Sequence, residues 1–322
     1  MWWHSYGSGN LGQAVTDRTD WPQLVSAWRS GGFYDRVMAG GAELDRVKAY
    51  LMAFAGEGPA TGSDPSMAPT YPCFPGLGHR AFHDPATCPG VGMLEASFGV
   101  IRDEAVALGE EGQLDYSIAS KPWRKWRDPR TWFSMRAAPR AWTVYPFYHM
   151  GVDVEALTRR CPGTMAVIKG LPGVCLDYPW GDAIFSVQGG QSKLPVHCSV
   201  DNVRLRCHLG IRIPDGTGIR VGGEERVWTE GRSLLFEDAF PHEVWNNSME
   251  RRIVLIVDFW HPDLTPVEVR ALTAGFRKST VREIFMRKRI SYTDSPGPYV
   301  VHMEAALKAQ DEESVVREFW PG

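Results

Sequence analysis

Two histidines and an arginine carry most of the chemical potential of this chain. His197 ends the segment that begins at Val196. His242 lies in the run FEDAFPHEVWNNS, and Arg252 stands in RRIVLIVDFW. Neutral imidazole is a common transition-metal ligand, and a planar guanidinium grips a carboxylate through two parallel hydrogen bonds. A mononuclear iron(II) oxygenase usually holds its metal with two histidines and a carboxylate, commonly as His-x-Asp/Glu followed by a distant His. The residue two after His197 is Ser199, which cannot serve as an anionic ligand, and Asp201 is poorly spaced for the role. Spacing alone leaves two readings open. One is a metal site inside a β-barrel with an arginine placed to hold an acid. The other is a pair of structural, hydrogen-bonded histidines.

The elements around these residues alternate with period two. In 203–213, Val203, Leu205, Cys207, Leu209, Ile211 and Ile213 are apolar, and Arg204, Arg206, His208 and Arg212 lie between them. Such a strand puts the two sets on opposite sheet faces. Arg204, Arg206 and His208 then form one row, which suits either solvent or an anion-binding cavity. Further short strands are expected at 183–187, 218–222, 226–229, 233–236, 243–246 and 252–260. Turn pairs Asp215-Gly216, Gly222-Gly223 and Glu230-Gly231 separate several of them. Many short strands at near-regular spacing imply a β-sandwich or barrel. In the last strand Arg252, Val254, Ile256 and Asp258 share one face, and Ile253, Leu255, Val257 and Phe259 the other. Upstream, WTVYPFY at 142–148 reads as a strand, with Pro146 suggesting an edge.

Helices are expected at about 21–28, 42–54 and 93–109, and around 154–160 and 164–171. The second has the apolar stripe Leu44, Val47, Leu51 and Phe54. Thr265 and Glu268 have capping-box spacing with Pro266 at the first helical position, predicting a helix to about Phe276. A final helix is expected near 300–309. Residues 56–92 are dense in Pro and Gly and read as loop, so His79 and His83 are not expected to make a helical metal pair.

The chain has 322 residues, 43% hydrophobic and 23% charged, with a formal net charge of −3. That is ordinary for a soluble globular protein and gives no reason to propose a nucleic-acid or membrane partner. The start Met1-Trp2-Trp3-His4 does not read as a signal peptide, and no run is long and apolar enough for a membrane span. Six cysteines without CxxC spacing are expected to be reduced thiols of a cytoplasmic protein. The basic, aromatic segment 121–140 reads as a solvated surface segment anchored by its tryptophans, with a cationic rim near an acidic substrate as another reading.

The segment from about 185 to 265 resembles the aspartyl/asparaginyl β-hydroxylase family of iron(II)- and 2-oxoglutarate-dependent oxygenases. The resemblance rests on His197, Asn202 to Gly210, Ile219 to Gly222, Trp228-x-Glu230-Gly231, Phe236-Glu237-Asp238, His242 to Asn246, and Val257 to Pro262. A weaker match reaches upstream through Phe74 to Leu77, Trp142 and Cys161-Pro162. The resemblance implies a mainly β protein with flanking helices (α+β), around a double-stranded β-helix of the jelly-roll or cupin-like kind. It also implies iron held by two histidines and no carboxylate, so that Ser199 becomes an expected feature.

By the same resemblance His197 and His242 are the metal ligands and the catalytic centre. Arg252, helped by Ser186, would pair with the distal carboxylate of 2-oxoglutarate. Arg206 and His208 would contact this co-substrate, Trp142 would line its pocket, and Arg204 would be free to meet an acidic substrate. The implied reaction consumes Fe(II)-bound 2-oxoglutarate and O2 and hydroxylates an aspartyl- or asparaginyl-like amino acid, peptide or carrier-bound small molecule, releasing succinate and CO2. Desaturation or cyclisation on the same site, a cupin-type isomerase or lyase, and a non-catalytic β-barrel binding module are the alternatives.

The implied organisation is a helical, loop-rich region over 1–140, a catalytic core over 141–265 and a helical extension over 266–322. The chain departs from the family at Cys198-Ser199-Val200-Asp201, where a Gly-Pro-containing turn is common. It departs again at Gln188 to Lys193, where Gln188 replaces an apolar residue beside the co-substrate. Nothing in it resembles the membrane anchor or helical repeats of the animal enzymes that modify protein domains, so a small-molecule, peptide or carrier-bound substrate is expected at least as much as a protein domain.

Overall fold

The computed structural model describes residues 20–58, 66–111, 114, 142–149, 151–284 and 314–320. The segment 121–140, the first 19 residues and the helix expected near 300–309 lie outside the described residues. Among the described residues, eleven strands form two antiparallel sheets. They are β1 (Phe82–His83), β2 (Trp142–His149), β3 (Val152–Asp153), β4 (Ala183–Gln188), β5 (Ser192–His197), β6 (Arg204–Arg212), β7 (Thr217–Val221), β8 (Glu224–Arg226), β9 (Ser233–Phe236), β10 (His242–Asn246) and β11 (Arg252–Trp260). The seven-stranded sheet runs β1-β9-β6-β11-β4-β2-β3, and the four-stranded sheet runs β5-β10-β7-β8.

From β4 onward the chain alternates between the sheets: β4 and β11 lie together in the large one, and β5 and β10 pair in the small one. Likewise β6 and β9 pair in the large sheet, with β7 and β8 in the small one. This winding is that of a double-stranded β-helix, the jelly-roll arrangement expected for the core.

Period two places the strands' two faces as expected. Leu205, Cys207, Leu209, Leu255, Val257 and Phe259 belong to one buried cluster. That cluster is completed by α4 (Pro89–Ala96), α5 (Phe98–Glu110) and α7 (Pro162–Gly170), through Val91, Leu94, Ile101, Leu108, Met165 and Ile168. Helices therefore cover the outer face of the large sheet. Val254, Ile256, Ile184, Val144 and Phe236 join Ile219, Val221 and Val244 of the small sheet in a second cluster, the interior between the sheets.

This interior core is continuous with α1 (Trp21–Ser30), α2 (Phe33–Ala39), α3 (Asp45–Ala55), α8 (Pro266–Arg277) and α9 (Ser314–Phe319). Trp28 is fully buried among Phe33, Phe54 and Phe276, and Trp320 stacks on Phe33. A short α6 (Glu155–Thr158) precedes α7. None of the described helices is long and apolar enough to cross a membrane, and all six cysteines are free thiols.

Several elements differ from expectation for physical reasons. The helix expected over 93–109 is two helices, interrupted at Ser97. Asp20 stands at the N-cap of α1 without a capping side-chain bond. The strand expected at 226–229 is shifted to β8, because Gly222 and Gly223 both take positive φ (55° and 92°) and form a two-residue turn that pairs Val221 with Glu224 directly. The strand β5 is absent from the expectation. Pro195 removes a donor from it, which is tolerated because β5 is an edge. The Thr265–Glu268 capping box forms as expected and starts α8.

Phe259 is fully buried where the large sheet meets the covering helices. Its replacement by Ala leaves a cavity that α4 cannot fill without moving, since Gly90 already lies against the ring. A loss of about 3–5 kcal/mol of stability is expected, to be read as a lowered urea midpoint with an unchanged denaturant slope.

Candidate active site

His197 and His242 sit at strand ends that the small sheet brings together. His197 ends β5, His242 begins β10, and the two are Cα partners across the antiparallel ladder. Their rings lie 4.1 Å apart, centroid to centroid. Each Nδ1 contacts a backbone carbonyl two residues back, His197 with Pro195 at 2.7 Å and His242 with Phe240 at 3.0 Å. Only a protonated Nδ1 can donate there, which leaves Nε2 of each ring with a lone pair. Burial lowers the pKa of both rings. For His242 burial comes first and the neighbouring His197 second, and together they push it down to about 3. Two neutral imidazoles with free Nε2 atoms are a metal-binding donor set.

Across the interior stand β6, β11 and β4 of the large sheet. His208 on β6 is 5% exposed, and neither of its ring nitrogens has a hydrogen-bond partner among the described residues. Burial lowers its pKa far below the usual histidine range, and the charges of Arg252 and Arg206 add to that effect. Phe236 packs on both His208 and His242, and Trp228 on both His208 and Arg252, so the histidine pair, His208 and Arg252 line one space.

Arg252 opens β11, is 1% exposed, and has no carboxylate partner among the described residues. Its Nη2 donates to Gln188 Oε1 at 3.3 Å, and its guanidinium lies 4.8 Å from the Trp228 ring centre. Its Nε and Nη1 have no partner among the described residues. Burial pushes the Arg252 pKa down to about 9. A buried, uncompensated guanidinium is costly, and a carboxylate is the ligand that would relieve it. Ser186, two residues before Gln188 on β4, accepts a hydrogen bond from Trp142 Nε1 at 3.0 Å. These residues fit a carboxylate ligand at Arg252 beside a metal at the histidine pair.

The cationic row on β6 is not a row of free cations. Arg204 is 4% exposed and is held by Asp238 at 3.0 Å, by Asp258 at 3.1 Å and by the Ser199 hydroxyl. The structure does not leave it free to meet an acidic substrate as expected: its Nη1 faces Asp238 and Asp258, its Nη2 donates to the Ser199 hydroxyl, and its Nε lies 3.8 Å from the Asp201 carboxylate. Arg206 is gripped by Asp258 through Nε at 2.9 Å and Nη2 at 2.8 Å, with Asp238 at 3.2 Å and Asp182 at 3.3 Å. It retains 18% side-chain exposure, so it borders the interior space but already has counter-charges.

Burial opposes ionisation of Asp238, yet Arg204 and Arg206 outweigh it and hold its carboxyl below the usual range. Asp201, buried and bonded to the Tyr178 hydroxyl, is pushed up to about 6 by desolvation. Its distance to Arg204 Nε is 3.8 Å. Asp201 therefore belongs to the arginine network and does not replace the missing metal carboxylate.

Trp228 as a site residue, and Asp238 and Asp258 as partners of the arginines, were absent from the sequence-based expectations. Asp258 had a signal, since it shares the inward face of β11 with Arg252. Trp228 was expected within a strand over 226–229, but β8 ends at Arg226 and leaves it in the following loop, so alternation did not give its inward placement. Its ring stacks over His208 at 6.0 Å while its face meets Arg252.

The model of the aspartyl/asparaginyl beta-hydroxylase family matches residues 95–262, which contain every residue just described. The chain belongs to this family. Human aspartate beta-hydroxylase domain-containing protein 1 is 36% identical over 189 residues, 58% of this chain and 45% of that protein. Its mouse counterpart is 39% identical over 189 residues, 58% of this chain and 49% of that protein. Human aspartyl/asparaginyl beta-hydroxylase is 30% identical over 185 residues, 57% of this chain and 23% of that protein. The chain thus spans about half the length of the first two relatives and less of the third. A cupin domain of an XRE-family transcriptional regulator from Enterobacter cloacae aligns at 14% identity and a TM-score of 0.24, covering 37% of this chain and 97% of that one.

The buried charges have two measurable consequences. Arg252→Met removes a buried cation that lacks a counter-charge while keeping apolar bulk against Trp228. It is expected to leave the ligand-free fold as stable or more stable, by up to about 4 kcal/mol, in thermal unfolding. The second concerns pH. The folded-state pKa of His242, about 3, lies below its unfolded value near 6.5. The unfolded chain therefore binds more protons within that window, and stability rises with pH across it. Acidification through the window destabilises the wild-type chain, and His242→Ala flattens that dependence in urea midpoints measured against pH.

Proposed function

We propose that this chain is an iron(II)- and 2-oxoglutarate-dependent oxygenase that hydroxylates an aspartyl- or asparaginyl-like amino acid, peptide or carrier-bound small molecule. The observation that carries the reading is one interior space lined by two histidines whose Nδ1 protons are spent on backbone carbonyls, leaving Nε2 unprotonated, and by the guanidinium of Arg252, which has no carboxylate partner among the described residues. A metal-binding pair and an acid-binding cation in one barrel are what a metal-activated keto-diacid needs. Family membership supports the reaction class.

When bound, iron and 2-oxoglutarate would supply the oxidising chemistry, with 2-oxoglutarate, O2 and a substrate C–H giving succinate, CO2 and an alcohol. The chain's own residues do the rest. His197 and His242 hold the metal, with their Nδ1 protons fixed on backbone carbonyls so that the rings cannot rotate away. Arg252 grips the distal carboxylate, and Ser186 and Trp142 bound the same end of the space. Gln188 keeps its amide oxygen on Arg252 and its amide nitrogen on the Ser192 carbonyl, a polar wall in the place of an apolar one. His208 stays neutral and donates one ring N–H towards the co-substrate. Trp228 and Phe236 pack on His208 and exclude water. Arg206, its charge already shared among Asp258, Asp238 and Asp182, presents a muted positive edge to the substrate side.

Succinate formation from 2-oxoglutarate that requires both added iron(II) and oxygen tests the reading. His242→Ala is expected to lower it on the order of 100-fold or more, because one of two protein ligands is lost. Arg252→Lys keeps the charge and loses the fork, and is expected to raise the 2-oxoglutarate KM on the order of 10-fold with a smaller change in kcat. Saturating 2-oxoglutarate, near 100 times its Kd, should stabilise wild type by about 2.7 kcal/mol and Arg252→Met by almost nothing. Neither turnover nor thermal stabilisation by 2-oxoglutarate in the wild-type chain would defeat the proposal.

A further inference from the structure

A second group of metal-ligating side chains lies outside the site described above. Glu237, the last residue before Asp238, has a fully buried carboxylate. Three histidines from two distant segments surround it. His83 Nε2 lies 2.8 Å from Oε1, His79 Nδ1 lies 3.1 Å from Oε2, and His261 Nε2 lies 4.0 Å from Oε1. Among the described residues these histidines are the ion-pair partners of Glu237, and no Lys or Arg side chain joins them. The backbone N–H of Arg80 donates to Oε1 at 2.9 Å. A carboxylate taken wholly out of water without a permanent cation is costly, and a bound cation supplies the missing charge.

The spacing suits a small divalent ion. One ligand atom each from His83, Glu237 and His261 lie within 4.8 Å of one another. A tetrahedral zinc ion with bonds of about 2.0–2.2 Å needs ligand atoms roughly 3.3–3.5 Å apart. The observed 2.8 Å and 4.0 Å distances straddle that value and the remaining edge is no longer than 4.8 Å, so side-chain movements of about half an ångström to one ångström close the shell. Two imidazoles and one carboxylate favour a borderline cation such as zinc over magnesium or calcium, which need mostly oxygen ligands.

The surroundings supply orienting groups. His79 holds the second carboxylate oxygen. The Asp263 carboxylate lies 3.8 Å from His261 Nδ1, placed to accept that proton when Nε2 is a ligand, and it also accepts the Gly78 N–H at 2.9 Å. Without metal the same groups make hydrogen bonds: His261 Nε2 meets the Gly78 carbonyl at 3.2 Å, and its Nδ1 accepts the Asp263 N–H at 3.2 Å. Loading therefore switches His261 to its Nδ1–H tautomer: the bonds to the Gly78 carbonyl and from the Asp263 N–H are given up, Nε2 turns to the metal, and Nδ1 turns its proton to the Asp263 carboxylate.

We propose that His83, Glu237 and His261 form a structural zinc-type site, with His79 as a positioning residue, that fastens residues 78–83 to β9 and to the turn after β11. The site is independent of the histidine pair in the barrel. Its place in the chain gives it a mechanical role, because it pins the residue next to Asp238, which holds Arg204 and Arg206 in the barrel wall.

The full chain carrying both His197→Ala and His242→Ala removes the barrel pair from the measurement. After loading with zinc and desalting, this parent is expected to retain about one equivalent of metal by elemental analysis, because three ligands remain. Loading with cobalt(II) instead should give the intense visible bands of a tetrahedral site, and zinc should raise the thermal midpoint. Adding His83→Ala, or separately His261→Asn, is expected to lower retained metal about 10-fold or more and to abolish both the bands and the thermal shift. A folded parent that retains less than about a tenth of an equivalent, or metal retention unchanged by His83→Ala and His261→Asn, overturns the assignment. Neither outcome touches the oxygenase reading, since turnover plays no part in the measurement.

Discussion

The structure depends on a charge it does not neutralise. Arg252 lies at the start of β11 with no carboxylate partner among the described residues, its guanidinium stacked near Trp228 and one nitrogen on an amide oxygen. A chain that needed only to fold would place an apolar residue there. The cost is tolerated because the rest of the interior is over-determined by two apolar clusters and by helices covering the large sheet. Those layers hold open a polar space that the barrel would otherwise close with methyl groups. The histidine pair reflects the same constraint. Both rings are kept neutral by the desolvation that makes Arg252 costly, so one physical condition prepares two kinds of ligand.

Arg204 and Arg206 show the contrasting solution one strand away. There the same side chain is buried with a surplus of carboxylates, and Asp201, Asp238, Asp258 and Asp182 surround two cations. Burial favours uncharged forms, so the Asp201 pKa is pushed up to about 6, whereas Arg204 and Arg206 outweigh burial at Asp238 and hold its carboxyl below the usual range. This network ties β6 to β11 and to the loop leading into β10. It positions His242 indirectly, because Asp238 begins the turn that delivers that histidine.

Much of this was legible in the residues. Alternation over 203–213 and 252–260 sorted the residues of each strand onto two faces correctly but left open whether the polar row met solvent or an interior; in the structure one face lies against the helix-covered cluster and the other against the barrel interior. The resemblance carried His197, His242 and Arg252, and the geometry brings them into one space. The strand β5 was hidden by Pro195, whose effect depends on whether the strand has a neighbour on that side. The pairing of Arg204 was hidden for a different reason. Its partners come from positions 238 and 258, and alternation tells which face a residue occupies but not what it meets. His79 lies in a loop as read, whereas His83 belongs to the short β1 paired with β9, and the significance of both depends on Glu237 and His261, which only the folded chain brings near.

The edge position of β5 has a kinetic meaning. His197 is carried by a strand with a neighbour on one side only, and Pro195 deprives that strand of one amide donor. Edge segments with few cross-strand bonds open at far lower free energy than central ones. The histidine on β10 is held between two strands, whereas its partner can leave with the strand that bears it. An ion bridging the two rings would therefore act as a staple on the least protected seam of the barrel. Amide exchange along 192–197 would then report metal occupancy more directly than exchange anywhere in the large sheet.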